Sequence, residues 1–245
     1  MPFTRSLVYY LTGFAFLLTP AKIGEVVRLW LLKQRHAVPY PTSLGVLVLD
    51  RAADALVLAG FAAFGLLGQA EIAAAPWICL AALVRIGALT GSRRLVVSVL
   101  RLAHRLTRHR LPAVFLFLLT AHRTLLAMCR PSVLATGLLL SMLAWGAQIF
   151  GLWLLVDALG TRLDLAHCAM VFALATLVGG VGGAEATMIG LLALAGMTGE
   201  AAVTATLMSR LATIWFALLI GLALAQVVLG ADRRQAALPE RDANA

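Results

Sequence analysis

The sequence predicts an all-α, polytopic integral membrane protein built from two inverted repeats, each a broken, re-entrant helix hairpin followed by a full transmembrane helix. Three observations carry this. The 245 residues are 62% hydrophobic and only 13% charged, against roughly 45–50% apolar and about 25% charged in soluble chains. Arginine is gathered between apolar runs. Two of those runs, 6–33 and 164–197, are each interrupted by glycine beside one glutamate.

A span needs about 20 apolar residues. Four full spans follow: 43–68, 72–90, 132–156 and 200–229. Together with the two interrupted runs they form a single transmembrane domain over 1–230, followed by a polar tail, 231–245, of disordered composition. The stretch "GSRRLVVSVLRLAHRLTRHR" carries six arginines and is placed in the cytoplasm by the positive-inside rule. "QAEIAAAP" and "DALGTRLD", poor in positive charge, then face the other side. Span 43–68 runs outward, 72–90 back, 132–156 outward, and 200–229 returns to a cytoplasmic C-terminus with Arg233 and Arg234. The location is the cell's inner (plasma) membrane. Residues 93–128 read as interfacial cytoplasmic helices, with Leu95, Val99, Leu102 and Leu106 on one stripe and Arg94, Arg101, Arg105 and Arg108 on another.

The first interrupted run breaks at "TPAKIGE", where Pro20 removes a backbone donor and Gly24 precedes Glu25. The second breaks at "VGGVGGAE", through Gly179, Gly180, Gly182 and Gly183, ending in Glu185. Glu25 precedes Arg51 by 26 residues and Glu185 precedes Arg210 by 25. Asp50 and Asp54 flank Arg51 where Ser209 and Thr213 flank Arg210, so the second copy is a neutral version of the first. The span after the first break runs outward and the span after the second inward, the layout of an inverted-topology transporter repeat. Residues 6–33 enter from the cytoplasm and return, and the N-terminus is a half-helix in place of the signal peptide its Arg5 and apolar run resemble.

An ionised side chain at bilayer depth costs roughly 2.5–3.5 kcal/mol. Glu25, Arg28, Asp50, Arg51, Asp54, Glu185 and Arg210 carry that burden and are expected to pair or to line water, Glu25 with Arg51 and Glu185 with Arg210. They form either a path for a lipid head group, helped by the free N–H donors at the breaks, or ion pairs that lock two helix tips together.

Other features receive plainer readings. Cys79, Cys129 and Cys168 are packing residues, and the five histidines form no metal-binding spacing. No P-loop, Rossmann or nucleophile-elbow motif is present, so no cofactor is expected. Gly137, Gly146 and Gly151 are assigned to close packing, Gln148 to a helix-to-helix hydrogen bond, and the tryptophans, Trp145 among them, in part to interfacial anchoring. Nucleic acid is not the expected partner of the arginines, since no aromatics are interleaved. Anionic head groups are.

At "LTGFAFLLTPAKIGEVVRLWLL", "VLDRAADAL", "GGVGGAEATMIGLLALAG" and "ATLMSRLATIWFALLIGLAL", which lie between Leu11 and Leu224, the chain resembles the flippase-like integral membrane proteins related to the transmembrane region of lysylphosphatidylglycerol synthase. The resemblance implies a role in moving or handling lipids such as aminoacylated phospholipids, polyprenyl-linked intermediates or hopanoid-type lipids. It maps the family's Gly-Glu breaks onto Gly24 with Glu25 and onto Gly182, Gly183 and Glu185, and its downstream arginines onto Arg51 and Arg210. Members carry further hydrophobic segments before the first break, which makes this chain an N-terminally shortened version. Val178 stands where a proline often precedes the glycines. The soluble aminoacyl-transferase domain has no counterpart, so synthase activity is not carried over.

The leading expectation is a lipid translocase, not an enzyme, working passively or on an ion gradient. The alternatives are a membrane-embedded enzyme of lipid-phosphate biosynthesis, with Glu25 or Asp50 as base, and an accessory subunit. Its protein partner would be a lipid-modifying enzyme or a second copy of the chain.

Overall fold

A computed structural model describes residues 3–16, 23–66, 81, 84, 85, 87, 91–107, 112–180 and 182–236. Every element among them is helical. The chain divides into two compact units, Met1–Tyr40 with Arg210–Ala245, and Pro41–Ser209.

In the first unit, α1 (Phe3–Thr12) runs into a 3-10 turn, Gly13–Phe16, and is followed by α2 (Ile23–His36) and α10 (Phe216–Ala236). Small residues set how closely these helices approach. A methyl group on Gly24 would overlap the carbonyl oxygen of Gly13, and one on Gly221 would lie 2.5 Å from the Phe14 carbonyl carbon and overlap the Ala15 nitrogen. Aromatic rings of α1 receive the cations of α2: the Arg28 guanidinium lies 4.8 Å from the Tyr10 ring centre and Arg35 5.5 Å from that of Tyr9. Helix α10 continues to Ala236, six residues into the stretch assigned to the tail.

The second unit holds α3 (Tyr40–Leu66, from its second residue), α4 (Arg93–Leu106), α5 (Pro112–Met128), α6 (Pro131–Ala158), α7 (Leu165–Val178), α8 (Gly183–Leu194) and α9 (Gly199–Arg210, up to Ser209). Its core is centred on α7, where the run Cys168–Ala173 is buried without interruption. A helix apolar on every side belongs in an interior. Ile149, Leu152 and Val156 of α6 and Met188 and Leu192 of α8 pack around it. On α3, Leu58 and Ala62 pack with Ala173.

Two segments are long and apolar enough to cross a membrane, Pro131–Ala158 and Gly199–Val227. Leu139, Leu140 and Leu143 on the first are exposed, as acyl chains would favour. The segment expected to span at 43–68 falls in helix α3, whose middle carries Asp50, Arg51 and Asp54, and α3 is not one of the two. Most of the span expected at 72–90 lies outside the described residues. Residues 93–128 resolve into two helices, α4 and α5, and Arg108 is outside the description. A π-helical turn, Leu211–Trp215, follows α9.

Helix α7 starts where Asp164 caps it. The Asp164 carboxylate accepts the His167 backbone N–H at 2.9 Å and pairs with the His167 ring, and the backbone bond first, then the ring, hold its carboxyl below the usual carboxylate range. A depressed carboxyl stabilises the fold above its ordinary pKa, and that contribution is lost as pH falls through the lower folded value. Asp164→Ala is therefore expected to destabilise by about 1 kcal/mol at neutral pH. The difference from the parent should shrink in acid, as read by thermal unfolding in micelles at a series of pH values.

Candidate functional site

Residues 164–197 form two short helices joined at the glycines. Helix α7 has 14 residues and α8 has 12, each shorter than the roughly 20 a crossing requires. Gly179, Gly180 and Gly182 have φ of +68°, +76° and +90°. Side chains strongly disfavour that region, so the glycines terminate α7 and turn the chain. Helices α7 and α8 then pack side by side, with Phe172 and Ala175 in one cluster with Met188 and Leu192.

The break exposes the first turn of α8, whose N–H groups have no intrahelical acceptor. Glu185 is the third residue of that helix, and its Oε2 accepts the Gly182 N–H at 2.7 Å. The carboxylate thus makes the return half of a capping box, while Gly182 has no side chain to supply the other half. Negative charge at a helix N-terminus is favoured by the aligned peptide dipoles.

A second carboxylate holds the same helical position. Glu25 is the third residue of α2, half-buried, directly after the buried Gly24. Pro20 lies outside the described residues. Three residues on, Arg28 stacks on Tyr10. Glu25 and Glu185 thus both stand at the third position of a helix, Glu25 after Gly24 within α2 and Glu185 after the glycine turn that precedes α8.

The acidic cluster of α3 is the third component. Arg51 Nη2 lies 2.9 Å from Asp50 Oδ2, and Arg51 Nη1 lies 3.3 Å from Asp54 Oδ2. The second pair follows from the helical i, i+3 spacing. Asp54 also reaches α6: its Oδ1 accepts the Ser141 hydroxyl at 2.8 Å and the Trp145 indole N–H at 3.0 Å. Its side chain is 17% exposed, whereas those of Asp50 and Arg51 are 42% and 43% exposed. Asp54 is thus a four-group junction, with Arg51 and Asp50 at its open side.

Of the seven charged residues singled out in the sequence, the structure groups Asp50, Arg51 and Asp54. Glu185 sits at its own break in the same unit. Glu25, Arg28 and Arg210 belong to the other unit, and Arg210 immediately precedes the π-helical turn. The expected pairs Glu25 with Arg51 and Glu185 with Arg210 each draw one residue from either unit.

Two plainer readings, of Gln148 and of the α6 glycines, are corrected, and two tryptophans gain partners. Trp145 serves as a donor to Asp54, and Trp153 donates to the Leu163 carbonyl at 3.1 Å. Gln148 bonds within its own helix, to the Ala144 carbonyl at 3.5 Å. Gly137 and Gly151 face open space and Gly146 meets only the Phe61 ring, 3.7 Å away. Within this unit the tight approaches are made from α3, by Gly45 against α5 and Gly65 against α7.

Comparison with known proteins gives the wider setting. The family model described as "Lysylphosphatidylglycerol synthase TM region" matches residues 1–221. A "UPF0104 membrane protein" of Methanothermobacter thermautotrophicus is 33% identical over 99 residues, 38% of this chain and 29% of that protein. "Glycosyltransferase AglD" of Haloferax volcanii is 37% identical over 67 residues, 25% of this chain and 11% of that protein. The chain thus aligns with less than a third of either curated relative. No solved structure matches it.

Proposed function

Because the chain belongs to the lysylphosphatidylglycerol synthase transmembrane-region family, we propose that it is a lipid translocase, not an enzyme, which passes a polar or anionic head group through the membrane along the charges at its two helix breaks. The observation that carries this reading is the shared placement of Glu25 and Glu185, each the third residue of its helix and close behind a glycine, Gly24 and Gly183. N–H groups at such helix starts bind phosphate or carboxylate oxygens, and the nearby carboxylates hold cationic head groups.

The path consists of Glu25, Arg28, Asp50, Arg51, Asp54, Glu185 and Arg210. In this reading both broken segments are re-entrant hairpins of inverted topology, whose tips reach toward the membrane centre. The protein resides in the inner membrane with its C-terminus in the cytoplasm. With no nucleotide-binding motif in the sequence, movement is passive or coupled to an ion gradient.

Reconstitution into liposomes, with head-group exposure followed by a membrane-impermeant reagent, tests the path. Glu25→Gln and Glu185→Gln are each expected to slow exposure at least about tenfold, the worth of one charge-assisted hydrogen bond of about 1.5–3 kcal/mol. Unchanged rates in both variants would sink the path. The partial match to a protein named as a glycosyltransferase favours one second reading, a membrane module of an enzyme acting on lipid-linked substrates. Product formation by the purified protein would select it.

A further inference from the structure

Between residues 72 and 156 the chain carries nine arginines and no Asp, Glu or Lys. Helices α4 and α5 fall inside this stretch, so their cations have no counter-charge of their own. They enclose a cleft of about 820 Å³ lined by Arg94, Arg101, His104, Phe115, Leu119 and Arg123, among others. That volume lies within the roughly 300–1,000 Å³ of ligand sites.

The lining follows from helical spacing. Arg94, Arg101 and His104 stand at i, i+7 and i+10 on one face of α4, and Phe115, Leu119 and Arg123 at i, i+4 and i+8 on α5. The His104 and Phe115 rings meet edge to face, with centroids 4.6 Å apart, and join the two helices within the cleft lining. The three arginines are exposed, and among the described residues no carboxylate pairs with them. Away from the cleft, α4 turns Val99, Leu102 and Leu106 outward, each more than half exposed. Such a helix lies at a membrane surface with its apolar stripe among acyl chains.

We propose that this cleft is a binding site for an anionic phospholipid of the surrounding bilayer, its phosphate held by Arg94, Arg101 and Arg123 and its upper acyl chain against Phe115 and Leu119. Guanidinium groups present paired N–H donors that match phosphate oxygens. The apolar wall and the outward apolar stripe favour a lipid over a free phosphate, which would use neither. None of the seven path residues takes part, so this site stands or falls apart from the translocation path.

The test uses the full chain in phosphatidylcholine nanodiscs doped with phosphatidylglycerol, with bound lipid counted by native mass spectrometry. Arg101→Gln and Arg123→Gln are each expected to weaken phosphatidylglycerol retention about fivefold. Arg101→Lys should retain more than Arg101→Gln. Arg105→Gln, which removes an exposed charge of α4 outside the cleft, should leave retention unchanged. Equal weakening by Arg105→Gln would reduce the effect to diffuse surface charge and overturn the site. Displacement of the lipid by inorganic phosphate at matched concentration would overturn the choice of ligand, and equal retention of phosphatidylcholine would overturn its anionic character.

Discussion

Replacing Asp54 with alanine is expected to destabilise the second unit by about 3 kcal/mol, since it removes the common acceptor of three donors at once. Ser141 and Trp145 would keep their places on α6 with nothing to accept their protons, and Arg51 would retain only Asp50 of its two described carboxylate partners. Asp54→Asn keeps an oxygen for Ser141 and Trp145 while losing the charge opposite Arg51. Its cost should be smaller, about 1 kcal/mol, because Arg51 is 43% exposed and water screens the pair. Denaturant titration in detergent micelles reads both values. A cycle pairing Asp54→Ala with Ser141→Ala should show coupling, whereas additive losses would mean that the bond adds nothing.

Gly65→Ala should be the most disruptive single methyl addition on α3. The new methyl would overlap the Ala166 carbonyl oxygen and lie 2.5 Å from the Met170 Cβ, both on the buried helix α7. Backbone cannot step aside as a flexible side chain can, so α3 and α7 must separate. The expected cost is about 3 kcal/mol, at the upper end for overpacking. Gly60, one turn and a half earlier, has nothing within 4 Å. Gly60→Ala should be neutral or stabilising by up to about 1 kcal/mol through helix propensity alone. Thermal unfolding of the pair provides the comparison, and equal behaviour would refute the close crossing of α3 and α7.

These two sites mark where sequence reading succeeded and where it stopped. Membrane character, helical content and the interruption at "VGGVGGAE" were legible because each depends on local chemistry: apolar runs, and glycines that accept positive φ. The grouping of Asp50, Arg51 and Asp54 was legible for the same reason, since one helical turn joins them. The Ser141 and Trp145 partners were not, because they lie 87 and 91 residues away from Asp54. An indole that anchors at an interface looks the same in sequence as one that donates to a buried carboxylate. Glycines posed a similar problem. Those of α6 stood out in a long apolar span, yet the close contacts belong to Gly45 and Gly65, and only the facing helix distinguishes the two sets.

Local chemistry also explains the last helix. Ala231 to Ala236 is polar enough to read as tail, yet its Asp, Arg, Gln and Ala residues carry no helix breaker, and α10 runs through them. Glu25 and Glu185 were matched by their distance to Arg51 and Arg210; the structure adds that both hold the third position of their helices. At Glu185 that position engages the Gly182 N–H. Any head group using this helix start must compete with, or be received by, the capping carboxylate.

The central claim is movement of lipid between leaflets, and head-group exposure in liposomes containing the purified protein measures it directly. With the protein present, an impermeant reagent should reach head groups of both leaflets, while protein-free vesicles expose only the outer one. If exposure stops at the outer leaflet with folded protein in the membrane and an ion gradient applied in either direction, the translocase account is contradicted.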